Sequence, residues 1–105
     1  MFDIESIQAL FIGKAVYNSI HFKARRKERH IKPSEVEQAI LSGEIIEEVS
    51  DDEPLPSVLI LGYANEGRPI HVAVGVCDDY ISLITTYEPT LDIWEADYKT
   101  RRTIV

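Results

Sequence analysis

The spacing of apolar and polar side chains changes period once along the chain, near residue 44. Before that point it is helical. Ile4, Ile7, Leu10, Phe11 and Val16 recur near helical intervals, which predicts a helix from Asp3 to about Val16, weakened towards its end by Gly13. Ser19 can cap a second helix, with Ile20, Ala24 and Ile31 as its apolar stripe and basic residues over the remaining faces. Pro33 suits the first turn of a third. There Glu35 and Glu37 complement the positive helix end, Val36, Ala39, Ile40 and Leu41 form the buried stripe, and Gly43 terminates it.

From Glu44 the period is that of strands, predicted over Glu44–Val49, Ser57–Tyr63, Pro69–Cys77 and Tyr80–Tyr87. Asn65-Glu66-Gly67-Arg68 has the form of a turn ending on a left-handed glycine, and Asp78-Asp79 is a short polar link, so consecutive strands should pair antiparallel. Val58-Leu59-Ile60-Leu61 is apolar on both faces, as in a central strand covered on both sides. The tail, with Trp94, Tyr98 and Lys99-Thr100-Arg101-Arg102, is expected to pack back across the sheet as a short helix or an irregular segment. The expected fold is α+β, with N-terminal helices packed on a four-stranded antiparallel sheet whose one face carries any functional site.

A length of 105 residues fits a single domain. With 45% hydrophobic and 28% charged residues the chain has an ordinary globular composition and no linker, repeat or low-complexity tract. Uncharged runs such as Ser6–Gly13 and Leu55–Asn65 are far shorter than the roughly 20 residues of a membrane span. Met1-Phe2-Asp3-Ile4-Glu5 lacks the basic start of a secretory leader, so a cytoplasmic location is expected. The lone Cys77 lies in an apolar run and reads as a small buried hydrophobe.

The net charge of −7 argues against indiscriminate nucleic-acid binding, but it is unevenly spread. Six of the eleven basic residues lie between Lys23 and Lys32, whereas acids dominate Glu44–Glu53. Anionic ligands are drawn to one end of such a molecule and basic partners to the other.

Two groups of side chains are candidates for chemistry. His21, Arg25 and Glu28 fall four and three residues apart, on one stripe of the second helix. Either they form a site wall, with Arg25 on a phosphate or carboxylate, His21 transferring a proton and Glu28 orienting one of them, or they are a solvated surface pair and a neighbour. In the third strand Ile70, Val72, Val74 and Val76 point one way and His71, Ala73, Gly75 and Cys77 the other. Small neighbours around His71 leave room for a ligand or for a packed helix, in which case His71 is a hydrogen-bonded interface histidine. Either Thr85 and Tyr87 or Thr86 and Glu88 share its face. Metal-ligand spacings, phosphate loops, serine elbows and dinucleotide fingerprints are all missing, and no cofactor is expected. Metal-independent RNA cleavage through the 2′-hydroxyl is chemistry that the remaining residue types can perform.

The ordered set His21-x-x-x-Arg25-x-x-Glu28-Arg29-x-Ile31, Glu35-Val36, Gly43-Glu44-Ile45-Ile46-Glu47, Pro54-x-Pro56-Ser57-x-Leu59-x-Leu61-Gly62, Gly67-Arg68-Pro69-Ile70-His71-Val72, Ile84-Thr85-x-Tyr87-x-Pro89, Trp94 and Arg101 resembles the bacterial and archaeal DUF4258 family, over roughly residues 17–102. The resemblance implies a small fold similar to the RelE-like and colicin-like ribonuclease toxins, often encoded beside an antitoxin. It would make His21 and His71 the acid and base, Arg25 and Arg101 the phosphate ligands, and Thr85 and Tyr87 the substrate-positioning groups. RNA and an antitoxin protein are then the expected partners. The alternative is a non-catalytic interaction module or homo-oligomeric domain, using the acidic stretch and an exposed sheet edge. Catalysis by the first set requires His21, Arg25 and His71 to converge within about 10 Å.

Overall fold

The computed structural model describes residues 2–103, so Met1, where the leader reading began, lies outside it. Helices α1 (Ile4–Ile12), α2 (Ile20–Glu28) and α3 (Pro33–Leu41) precede strands β2 (Glu44–Val49), β3 (Ser57–Ala64), β4 (Arg68–Val76) and β5 (Ile81–Tyr87), and a three-residue strand β1 (Val16–Asn18) lies between α1 and α2. The fold is α+β, but the sheet has five strands in the order β1-β5-β4-β3-β2 and is mixed rather than wholly antiparallel. The four strands read from the sequence are antiparallel neighbours, whereas β1 runs parallel to β5, with Val16 opposite Ile81 and Asn18 opposite Leu83. Three residues are too few for alternation to be visible. The first helix therefore stops four residues before Val16: Gly13 caps it, and Lys14, at φ 63°, turns the chain into β1.

One face of the sheet carries the helices. Ile60, Val72, Val74 and Ile81 pack there against Ile7, Phe22, Val36 and Ile40 in a single core. Alternation along β4 assigned this layer correctly for Ile70, Val72 and Val74, all without exposed surface, while Val76 is half-buried at the strand's end. Cys77, expected inside, is also only partly buried, just beyond the last β4 residue. The stripe read for α2 needs a larger correction. Ser19 caps the helix by accepting from the Phe22 N–H, but Ile20 is 82% exposed and Ala24 faces solvent, while Phe22 enters the core. Ile31 is buried but lies past the helix end, after His30 turns the chain at φ 56°.

Glu35 ties the start of α3 to the sheet. Its carboxylate accepts from the Lys32 N–H at 2.9 Å and from Arg68 at 3.0 Å, and Arg68 also donates to Glu88 and to the His30 carbonyl. Burial pushes the Glu35 carboxyl up, but those donors outweigh it and hold it below the usual carboxylate range. Gly62 sets the separation between α3 and the sheet. A Cβ there would lie 1.9 Å from the Ala39 carbonyl oxygen, a distance no side chain tolerates.

Gly62→Ala should therefore cost on the order of 3 kcal/mol in denaturant unfolding, since helix and strand must part. Gly67→Ala, at φ 76° with open space around its Cβ position, should cost only about 1 kcal/mol.

Candidate functional site

The opposite face of the sheet is covered by the tail, which is irregular and joined to itself by a bridge between Trp94 and Arg101. His71 lies beneath it with 0% exposure, and the Trp94 ring, 2% exposed, stands edge-on at 4.6 Å. Burying an imidazole leaves two ring nitrogens to satisfy. Nε2 lies 2.6 Å from the Tyr98 carbonyl and Nδ1 lies 3.2 Å from the Tyr87 hydroxyl. A carbonyl only accepts, so Nε2 carries the proton and Nδ1 accepts from Tyr87. Desolvation lowers the His71 pKa, which the Tyr98 carbonyl and Glu47 oppose and Arg101 reinforces. Burial raises the Tyr87 phenol, against the charges of Arg101 and Arg29.

Two β-bulges aim the polar groups at this layer. Strict alternation would put Thr85 and Tyr87 on the side of Ile81 and Leu83, inside the helical core. A register shift at Ile84 instead sets Thr85 opposite Ala73 and Tyr87 opposite His71, and sends Thr86 into the core, where its hydroxyl donates to the His71 carbonyl. The set sharing the His71 face is thus Thr85 and Tyr87. In β2 a shift at Ile46 likewise turns Glu47 to the tail side, opposite Leu59. There Glu47 accepts from Arg101 Nε at 2.6 Å and Nη2 at 3.0 Å, and the guanidinium carbon lies 4.6 Å from the Trp94 ring centroid. That stacking contributes about 0.5–1 kcal/mol where water reaches it.

The α2 residues stand apart from His71. Arg25 pairs with Glu28 at 3.2 Å with both side chains largely exposed, the geometry of a solvated helix pair. His21 is exposed on the first turn, and among the described residues no hydrogen bond joins it to His71. The helix reaches the site through Arg29 instead, four residues beyond Arg25 on the same row. Past Leu83 no strand pairs with the outer edge of β5 among the described residues, and Arg29 donates there to the Thr85 hydroxyl and the Thr86 carbonyl, each at 3.0 Å. His21 is two helical turns, about 12 Å, further along that row. The structure therefore gathers His71, Tyr87, Thr85 and Arg101, adds Arg29 and Glu47, and leaves His21, Arg25 and Glu28 outside. Arg29 and Glu47 stood among the spaced residues of the sequence, but only the two bulges and the open edge of β5 give them a place here. Among the described residues no group of three His, Cys, Asp or Glu could hold a metal, and no helix is long and apolar enough to cross a membrane.

The sequence pattern of the family described as Domain of unknown function (DUF4258) matches residues 19–88, two thirds of the chain. No curated protein and no solved structure matches the chain. The matched span holds α2 to β5, including Arg29, His71, Thr85 and Tyr87; the covering tail lies beyond it.

A histidine buried in its neutral form has a stability consequence. Its folded pKa lies below the unfolded value, so the unfolded chain binds the extra proton first and stability is lost as pH falls through 6.5. Thermal unfolding of the native chain should show that loss between neutral pH and the onset of carboxylate titration. In His71→Gln the slope over this window should disappear, even though the starting stability is lower.

Proposed function

The chain belongs to the DUF4258 family, and on that premise we propose that it is a metal-independent endoribonuclease domain whose site is the Tyr87–His71 pair flanked by Arg29 and Arg101. One observation carries the reading: a phenol that donates to a buried neutral imidazole while two guanidinium charges act on it from the side. Tyr87 keeps an oxygen lone pair free for a substrate proton. As the 2′-hydroxyl of RNA attacks the adjacent 3′ phosphorus, Tyr87 takes its proton and passes its original one to His71; the P–O5′ bond breaks as the P–O2′ bond forms, and the leaving 5′-oxygen takes a proton from water. Arg101 uses Nε and Nη2 on Glu47, which leaves Nη1 for a phosphoryl oxygen; Arg29 uses Nη1 and leaves Nη2. Thr85, held by Arg29, fixes the approach.

The basic run from Lys23 to Lys32 supports an entry path along α2, with Arg25 and His21 meeting backbone phosphates further up the row. The acids of Glu44–Glu53 lie on and after β2, at the far edge of the sheet. A toxin role like that of the RelE-like and colicin-like ribonucleases, with an antitoxin partner, belongs to the same reading, and it is supported by the Arg and Tyr side chains on the sheet face opposite the helices. A second reading, a non-catalytic module that binds protein, is favoured by the exposed Ile12, Tyr17 and Ile20 around β1.

Incubation with a mixed RNA pool in excess EDTA should yield fragments with cyclic phosphate ends. Tyr87→Phe, which keeps the ring and removes the proton path, should slow cleavage about a hundredfold, and Arg101→Ala should slow it comparably. Absence of cleavage by the folded chain, or full activity in Tyr87→Phe, would overturn the reading.

A further inference from the structure

An apolar opening of the helix layer lies away from the tail, and its rim shares Lys23 and Arg26 with the basic run of α2. It is a groove of about 590 Å³ between α1, β1, α2 and α3, within the size range of ligand-binding clefts. Phe22, Val36 and Leu83 form its buried floor, and Phe11, Val16 and the exposed Ile12 its sides. Its polar lining is mostly cationic: Lys14, Lys23 and Arg26 against the single acid Glu37. Among the described residues neither lysine has an acidic partner within salt-bridge distance, although the chain as a whole carries −7.

One wall of the groove is a strand edge. β1 pairs only with β5, and its other side is unpaired among the described residues. Val16 and Asn18 line the groove while Tyr17, between them, points to the other face, so the β1 alternation is in register with it. A segment added beside β1 would place every second side chain over the groove and the others beside Tyr17.

We infer that this face is a docking site for an extended, acidic segment of a partner protein, which adds a sixth strand outside β1, seats an apolar side chain over Phe22 and meets Lys14 and Lys23 with carboxylates on either side. Three features select that occupant over an apolar helix or a second copy of the chain. The free edge offers main-chain hydrogen bonds to an extended segment. The rim charge calls for acids, and every acid that the chain itself places in strand form, in β2, lies at the opposite sheet edge, where Glu44 and Glu47 are engaged by Lys99 and Arg101. The site is short, so it fits a peptide of about five residues.

The test uses the full chain and a labelled peptide, Glu-Thr-Leu-Thr-Glu, in which positions one, three and five share a face, against Lys-Thr-Leu-Thr-Lys. Fluorescence anisotropy at low salt should show at least about tenfold tighter binding of the acidic peptide, with amide NMR shifts confined to β1 and the groove. In the Lys14→Glu, Lys23→Glu double variant, both positions being exposed, the preference should invert in favour of the basic peptide. Equal affinity for the two peptides, no saturable binding, or an acidic preference surviving the double variant would overturn the proposal. So would shifts in β1 produced by decanoate and not by the peptide, which would make the groove a site for a free acyl anion.

Discussion

A histidine with no exposed surface needs a partner at each ring nitrogen, and the sheet face opposite the helices is organised around meeting that need at His71. One partner is a backbone carbonyl, at Tyr98, so the tail must cross the sheet at a fixed place with Tyr98 in the left-handed region, at φ 59°. The other is the Tyr87 hydroxyl, so β5 must present Tyr87 beside His71 rather than towards the helices. Leaving either nitrogen unpaired in this setting would cost about 1–3 kcal/mol, more than the exposed ion pairs of the tail supply singly. Trp94 excludes water above the ring, and Arg101, held by Glu47, closes over Trp94.

The same requirement gives the site its chemistry. Because Nε2 is committed to a carbonyl, the imidazole faces Tyr87 as an acceptor, and burial keeps it uncharged. The phenol then donates to a neutral imidazole behind it and has guanidinium charges beside it. Arg29 enters because β1 is short: where β1 stops, the β5 edge is open and a residue from the end of α2 can reach Thr85 and Thr86. A longer β1 would seal that edge. The short strand thus exposes two things at once, the Thr85 side of the polar cluster and, on the helix side, a groove with an unpaired edge.

Much of the architecture was legible in the sequence because it follows from periodicity. Pro33, Glu35, Val36 and Ile40 announce α3, and alternation over Pro69–Cys77 separates Ile70, Val72 and Val74 from His71. Where the reading went astray, the period itself is broken. β1 is shorter than one cycle of a recognisable pattern. In α2 three apolar residues, Ile20, Phe22 and Ala24, compete for the inner face, and packing selects Phe22, whose area outweighs an exposed Ile20. The side taken by Thr85 and Tyr87 could not be read because a bulge at Ile84 reverses it, and Glu47 was hidden by the bulge at Ile46. Bulges leave no mark in a hydrophobic pattern except consecutive apolar residues such as Ile45-Ile46. The α2 stripe of His21, Arg25 and Glu28 was correctly spaced, but residue spacing within a helix carries no information about which strand it will face.

The central claim is that His71 is neutral, protonated on Nε2 and accepting from Tyr87. Long-range proton–nitrogen NMR spectra of the imidazole measure this directly. The account predicts an Nε2–H tautomer at neutral pH that resists protonation to below the ordinary histidine value of 6.5, with the Nδ1 shift moving in Tyr87→Phe. An Nδ1–H tautomer, or titration at the ordinary value, would contradict it.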